Sequence, residues 1–304
     1  MLSLALLLRL AEAHTGIILP WDSDELDYAQ APPDAWKVFD LHVSVLLGTA
    51  LFTGLYFMAI GPWRKRYGWS ELPVERWRQV SFVIGQLILL ISLNGPIHHL
   101  SDYYLFAAHM LQHLFLNLLW APLTVVALPS WLVEKMLEVG AVRRLSNLVG
   151  SLPAKFLIYN GVLYFWHIPY MYDYAIANHN VHIVEHLSFM GTAVIAWVGL
   201  LCDAPSLPRP QPLAQLLYLF AMTLPMKLLG AIITLSDNLL YQGYVPAPRI
   251  WGLDPITDQH WGGLMMWLPS GLVMWASMVF VFSRWWEQEK ASQIRVLPPP
   301  EVPS

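Results

Sequence analysis

Two pairs of histidines with identical spacing could together hold a transition metal ion. His109 and His113 are four residues apart, and so are His182 and His186. On an α-helix, residues four apart share one face, with their Cβ atoms about 5–6 Å from each other. Two imidazoles placed in this way can bind one ion, each nitrogen about 2 Å from it. Each pair therefore predicts half of a four-nitrogen metal site.

The available donor atoms favour copper over other metals. The chain has a single cysteine, Cys202, so a site built from thiolates is excluded. Imidazole suits copper, zinc, iron and nickel, and a thioether favours Cu(I). Met110 lies beside His109 and is a candidate thioether ligand. Histidine together with methionine predicts copper, as Cu(I).

Four further residues are candidates for the same site. Glu185 lies between the histidines of the second pair and is predicted to bind the ion or to support an imidazole N–H. His167 ends an apolar stretch, and Asp258 and His260 precede another one. All four are candidates for the pocket that the two histidine pairs would form.

The amino-acid composition indicates a membrane protein. Apolar residues make up 56% of the 304 residues, charged residues only 12%, and the mean hydropathy is +0.47. Soluble domains carry roughly 25% charged residues. Seven apolar stretches approach the length of about 20 residues that a transmembrane helix needs. They lie at roughly His42–Ile60, Val80–Ile97, Leu105–Leu128, Phe156–Met171, Ile183–Leu201, Leu213–Leu235 and Gly263–Trp285. The prediction is an all-α membrane protein, a bundle of about seven transmembrane helices.

The distribution of basic residues predicts the orientation of this bundle. Thirteen lysines and arginines flank one side, and only Lys37 and Arg249 lie on the other. Cytoplasmic loops carry the excess of positive charge, so the N-terminus is predicted outside and the C-terminus in the cytoplasm. All eleven histidines then lie on the outer side or close to it. In a bacterial inner membrane, the histidine-rich face would be periplasmic.

The chain ends are predicted to lie outside the transmembrane domain of residues 42–286. Residues 1–13 have the short apolar run and the Ala11-Glu12-Ala13 site of a signal peptide. Cleavage there would leave His14 first, with an amine and an imidazole that together could chelate copper. Residues 14–41 form an acidic outer segment, and residues 287–304 a disordered cytoplasmic tail.

Several function classes are excluded by missing motifs. The chain has no basic cluster interleaved with aromatics, so no nucleic-acid partner is expected. It also lacks a phosphate-binding loop, a GxSxG nucleophile and an HExxH motif. We therefore expect a binding protein and not an enzyme.

Four short motifs follow one another along the chain. They are His109-Met110-Leu111-Gln112-His113 with Ala121-Pro122-Leu123, Trp166-His167-Ile168-Pro169, His182 through Glu185-His186-Leu187-Ser188-Phe189, and Asp258-Gln259 with Gly262-Gly263-Leu264-Met265-Met266-Trp267. In residues and in order these motifs resemble a known family, the polytopic CtaG-type cytochrome c oxidase assembly factors. The resemblance covers roughly residues 40–285. It implies a role in assembling a haem–copper oxidase, with an oxidase subunit or a copper chaperone as partner.

Both lines of reasoning lead to an assembly factor that binds copper at the outer face and delivers or holds it. Three alternatives stay open: a haem-binding cytochrome or haem-handling enzyme with one histidine from each pair, a copper transporter, and a scaffold whose histidines only pack. A homodimer is also compatible with the sequence. Because hydropathy does not give the order of helices around a bundle, whether the two pairs meet is a question for the structure.

Overall fold

Long apolar helices form the framework of the protein. A computed structural model describes residues 34–39, 41–202 and 204–296, and the regular secondary structure of these residues is helical, with no β-strand. In chain order the helices are α1 (Val43–Arg66), α2 (Arg76–Tyr103), α3 (Phe106–Ala127), α4 (Ser130–Glu138), α5 (Gly140–Leu148), α6 (Leu152–Trp166), α7 (Pro169–Ala177), α8 (His179–Leu201), α9 (Pro212–Thr234) and α10 (Pro255–Val296). The predicted all-α fold is confirmed.

Six of these helices are long and apolar enough to cross a membrane, or seven if one bent pair is counted as a single span. The pair is α5 with α6, which meet at 93°. The predicted fourth span, Phe156–Met171, is wrong at its end, because α6 stops at Trp166 and α7 begins at Pro169. Ile168 has extended backbone, as the residue before a proline prefers. The fifteen residues of α6 cover only about 22 Å.

A proline interrupts α2, and a π-turn interrupts α3, the helix that carries the first histidine pair. In α2 the break falls at Gly95, ahead of Pro96. Pro96 has no N–H, so the carbonyl of Ser92 loses its helical partner. Gln112 of α3 replaces it and donates from Nε2 over 2.7 Å. Further along, α3 contains a π-turn at Phe115–Trp120, a feature that is frequent at functional sites.

Helix α10 crosses next to α3 and α9 because glycines let the backbones approach. A Cβ at Gly263 would lie 2.6 Å from the backbone nitrogen of Thr234 in α9. A Cβ at Gly262 would overlap the Phe106 ring in α3. Small residues at such contacts are typical of membrane helices. The first turn of α3 is therefore held against the first turns of α10.

The predicted chain ends are only partly covered by the structure. Helix α10 continues to Val296, so residues 287–296 are helical and the predicted disordered tail does not begin at 287. Residues 297–304 lie outside the described residues, as do the predicted signal peptide and most of the acidic segment. From that segment the structure describes a short 3₁₀-helix at Ala35–Lys37.

Candidate metal centre

The two histidine pairs meet in the interior of the bundle. Helix α3 carries His109 and His113, whose Nε2 atoms are 2.5 Å apart, and α8 carries His182 and His186, whose Nε2 atoms are 2.9 Å apart. Across the helices, the ring centroids of His113 and His186 are 4.7 Å apart and those of His109 and His182 are 5.1 Å apart. All four side chains are buried, and His109 is fully enclosed. Four imidazoles therefore face one another in a closed site.

Glu185 brings a carboxylate into this cluster. Its Oε1 lies 3.7 Å from Nε2 of His109 and 3.6 Å from Nε2 of His113, and the side chain is 1% exposed. The second oxygen, Oε2, has no hydrogen-bond partner in the part of the chain that the structure describes. A buried carboxylate with an unused oxygen beside imidazole nitrogens is suited to a cation. Glu185 therefore lies where a direct ligand would lie.

Two overlapping sets of three donors result from this arrangement. One set is His109, His182 and His186, and the other is His109, His113 and Glu185; in each set the donor atoms lie within 4.8 Å of one another. His109 belongs to both. An ion bound in the cluster can thus exchange some ligands while it keeps His109.

Tyr244 sets the protonation of the His109 ring. Its hydroxyl donates to the carbonyl of Ser101 over 2.5 Å, so its oxygen accepts from Nδ1–H of His109 over 3.2 Å. Burial raises the pKa of Tyr244 well above its ordinary value, which keeps the phenol protonated as this bond requires. With the proton on Nδ1, Nε2 of His109 presents its lone pair to the cluster. Tyr244 was missed by the sequence analysis because it lies in the 235–254 connection, 135 residues from His109.

Tyr244→Phe is expected to weaken metal binding about 10–100-fold, the usual cost of removing a supporting hydrogen bond from a ligating histidine. The ring of Tyr244 stays in place in this variant, and only its hydroxyl is lost, which orients His109 and donates to the carbonyl of Ser101. Competitive titration of the purified protein against a chelator measures the change. Tyr170→Phe is the matched control, because Tyr170 is 71% exposed. Equal affinity in wild type and Tyr244→Phe would contradict the orienting role.

Asp258 positions α3 and does not reach the cluster as a ligand. Its two carboxylate oxygens accept the backbone N–H groups of Phe106 and Ala107, over 2.7 and 3.0 Å. These groups begin α3 and have no partner within the helix. The prediction of Asp258 as a ligand is replaced by a capping role, which fixes the helix that carries His109.

His167 lies near the cluster but outside both donor sets. Its Nδ1 donates to the carbonyl of Leu163 over 2.8 Å, which leaves the lone pair on Nε2. That Nε2 is buried with no hydrogen-bond partner among the described residues. Burial lowers the pKa of His167 to about 4, so the ring is neutral. Its role as a ligand stays a prediction.

The remaining candidates are directed elsewhere. Met110 packs against α10, where a Cβ at Gly262 would lie 3.3 Å from its Cγ. His260 contacts the carbonyl of Ser236 over 2.9 Å. His14 lies outside the described residues. The structure therefore gives Met110 and His260 packing and hydrogen-bonding roles instead of places in the cluster.

A second histidine cluster, which the sequence analysis did not predict, lies beside the first. His98 Nε2 is 2.6 Å from His42 Nε2 and 3.3 Å from Oδ2 of Asp102. These three residues could by distance alone hold a metal ion. However, Gln112 donates one Nε2 hydrogen to Ser92 and the other to Nδ1 of His98, 2.9 Å away. His98 then carries its proton on Nε2, the atom that faces His42 and Asp102. A protonated nitrogen has no lone pair to offer a metal ion, so this second cluster is held together by hydrogen bonds.

The fold and this cluster define a class of protein: a multi-pass membrane protein with a buried group of four histidines and one carboxylate. Residues 54–288 match the cytochrome c oxidase caa3 assembly factors, so the chain belongs to this family. The match covers more than half of the chain and confirms the predicted resemblance. No curated protein and no solved structure matches the chain.

Membership gives the protein its general role. It is an assembly factor for cytochrome c oxidase, with which it interacts, and its apolar helices contact lipid.

Proposed function

We propose that this protein binds copper in the four-histidine cluster and delivers it to, or holds it for, cytochrome c oxidase during assembly. The observation that carries the proposal is the convergence of His109, His113, His182 and His186 around the Glu185 carboxylate. An oxidase that contains copper needs a donor for it, and this cluster is a site where a metal ion can be held within the membrane.

The donor set favours copper for a different reason from the one that the sequence suggested. With Met110 packed against α10, the donors are imidazole nitrogens and one carboxylate oxygen. Copper binds such donors more tightly than the other divalent ions of the first transition row. The preference therefore rests on imidazole, and no longer on a thioether that would select Cu(I).

The alternative functions fit the geometry less well. A haem with one axial histidine from each pair needs a slot for its macrocycle, but the four rings pack at centroid distances of 4.5–5.8 Å. A transporter needs a polar path toward the other face. Directly below the cluster, the ring of Phe189 lies 4.6 Å from that of His113, and both Phe189 and Leu116 are buried. These apolar side chains separate the cluster from the other half of the bundle. They favour a site that a metal ion enters and leaves from one side only.

The orientation predicted from the basic loops places that side outside the cytoplasm. The cluster lies where α3 and α8 begin, at the end of the bundle opposite to the basic loops. We therefore propose a bacterial inner-membrane protein with its N-terminus and its copper site on the periplasmic side. The copper would come from a chaperone or from solution, and the protein itself would catalyse no reaction.

The test is the metal content and visible spectrum of purified wild type beside a His113→Ala/His186→Ala variant. This variant removes one donor from each of the two sets. We expect about one copper ion per wild-type chain, bound by imidazoles as in other histidine sites, and none in the variant. His260→Ala, whose histidine contacts Ser236, is the control that keeps its copper. A Soret band, or equal copper in the variant, would overturn the proposal.

A further inference from the structure

A lysine lies within the apolar helix α9, on the side of the bundle that faces lipid. Lys227 is in α9, seven residues from its end at Thr234 and fifteen from its start at Pro212. At about 1.5 Å per residue, these are distances of about 10 and 22 Å from the helix ends. Helical side chains lean toward the N-terminus of their helix, which here directs the ammonium away from the nearer surface.

Gly271 of α10 provides the space that the lysine side chain fills. A Cβ at Gly271 would lie 2.8 Å from Cε and 3.1 Å from Nζ of Lys227. The ammonium group is therefore held beside the middle of α10. A charge at this depth is costly and normally marks a functional contact.

The charge of Lys227 is not neutralised by any residue in the described part of the chain. Of the residues that the structure describes, no carboxylate lies within ion-pair distance of Lys227, and no side chain or carbonyl is hydrogen-bonded to it. The side chain is half-buried. Around it, α9 and α10 expose large apolar residues to the lipid: Leu224, Leu228, Leu268, Leu272 and Trp275. We call these five residues with Lys227 and Gly271 the Lys227 face.

A second copy of this chain cannot supply the missing negative charge. The carboxylates within the described spans are Asp102, Glu185, Asp258, Glu287 and Glu289. Glu185 and Asp258 are each 1% exposed, and the other three lie near the ends of their spans. None is presented to lipid at the depth of Lys227. Contact between two copies through this face would leave both lysines without a partner.

We propose that the Lys227 face docks a transmembrane helix of another protein, which presents an aspartate or glutamate at mid-membrane. The surrounding leucines and Trp275 would pack against the apolar part of that helix. The helix would belong to a subunit of cytochrome c oxidase, the complex that this family assembles, and the inference does not depend on the copper site. An ion pair formed in lipid would give the contact specificity that apolar packing alone lacks.

The test is recovery of oxidase subunits with tagged full-length protein, solubilised gently from its own membranes. Lys227→Met keeps the length of the side chain and removes the charge; Lys227→Arg keeps the charge. Lys65→Met is the matched control, because it makes the same substitution at an exposed lysine of α1 away from this face. We expect Lys227→Met to recover oxidase at least about ten-fold less well, because a carboxylate left unpaired in the interface opposes binding. Lys227→Arg and Lys65→Met should recover it as wild type does.

Three further measurements separate helix docking from a structural role of the lysine and from lipid binding. Lys227→Glu, combined with reversal of a transmembrane carboxylate in the recovered subunit, should restore recovery. Lys227→Met should melt at or above the wild-type temperature, because it removes a charge from lipid; a lower temperature would assign the lysine a structural role and overturn the inference. Retention of anionic lipid in nanodiscs that depends on Lys227, with unchanged oxidase recovery, would also overturn it.

Copper content distinguishes failure of this inference from failure of the proposed function. Lys227→Met should keep its copper. If wild type binds copper and Lys227→Met still recovers oxidase fully, the docking inference is wrong and the copper site stands. If no copper is bound but oxidase recovery depends on Lys227, the docking inference stands alone.

Discussion

Replacing His109 with alanine is expected to remove bound copper and to reduce oxidase activity in cells to the level of a strain without the protein. His109 belongs to both three-donor sets, whereas His113, His182 and His186 each belong to one. Loss of a supporting group alone costs about 10–100-fold in affinity, so loss of the shared ligand should cost more than about 100-fold. Copper per chain and the oxidase activity of isolated membranes measure the two effects.

A graded series distinguishes loss of a ligand from loss of the fold. His182→Ala leaves His109, His113 and Glu185, so it should weaken binding less than His109→Ala does. Because His109 is fully buried, alanine also leaves a cavity there. His109→Gln fills more of that space and should be as inactive. If His109→Gln supported normal oxidase activity, or if His182→Ala were the more severe change, the shared-ligand interpretation would be wrong.

Replacing Asp258 with alanine is expected to destabilise the protein by about 2–4 kcal/mol, the combined scale of a lost helix cap and of hydrogen bonds to a charged group. Asp258 is buried, and its two oxygens accept the N–H groups of Phe106 and Ala107 at the start of α3. Alanine removes this partner from both groups, of which the N–H of Phe106 is buried and that of Ala107 partly buried. Copper affinity should fall as well, since the first turn of α3 leads directly to His109.

Thermal melting in detergent, with copper affinity measured on the same preparations, tests this expectation. Asp254→Ala is the matched control: Asp254 is exposed and accepts from the N–H and hydroxyl of Thr257 at the start of α10. Its loss should cost about 1 kcal/mol and leave copper affinity unchanged. Asp258→Asn keeps an acceptor oxygen and should lie between the two. A wild-type melting temperature for Asp258→Ala would contradict the capping role.

Under the proposed function, burial of the cluster implies that copper exchange needs movement at its outer side. Tyr172, Tyr241 and Tyr244 are all buried and pack between the cluster and the outer connections. The two donor sets permit stepwise exchange, because His109 can keep the ion while the other ligands are replaced. An assembly factor that must release its copper benefits from such a route, whereas a permanent structural site does not.

The sequence by itself determined the class of the protein, its helices and its candidate ligands. Hydropathy and proline position act over a few residues, so six spans and the all-α fold followed directly, and only the short fourth span was misplaced at Pro169. Histidine spacing is also local. It correctly placed His109 with His113 and His182 with His186 on single helix faces, and the motifs around them identified the family.

Only the tertiary structure decided which residues share the site. The meeting of α3 with α8, the capping of α3 by Asp258 and the orientation of His109 by Tyr244 join segments far apart in the chain, the last two across 152 and 135 residues. In a membrane, apolar side chains contact lipid as readily as one another, so hydropathy does not specify which helices are neighbours. That choice depends on close packing at glycines and on satisfying buried polar groups, which is visible only when all helices are in place.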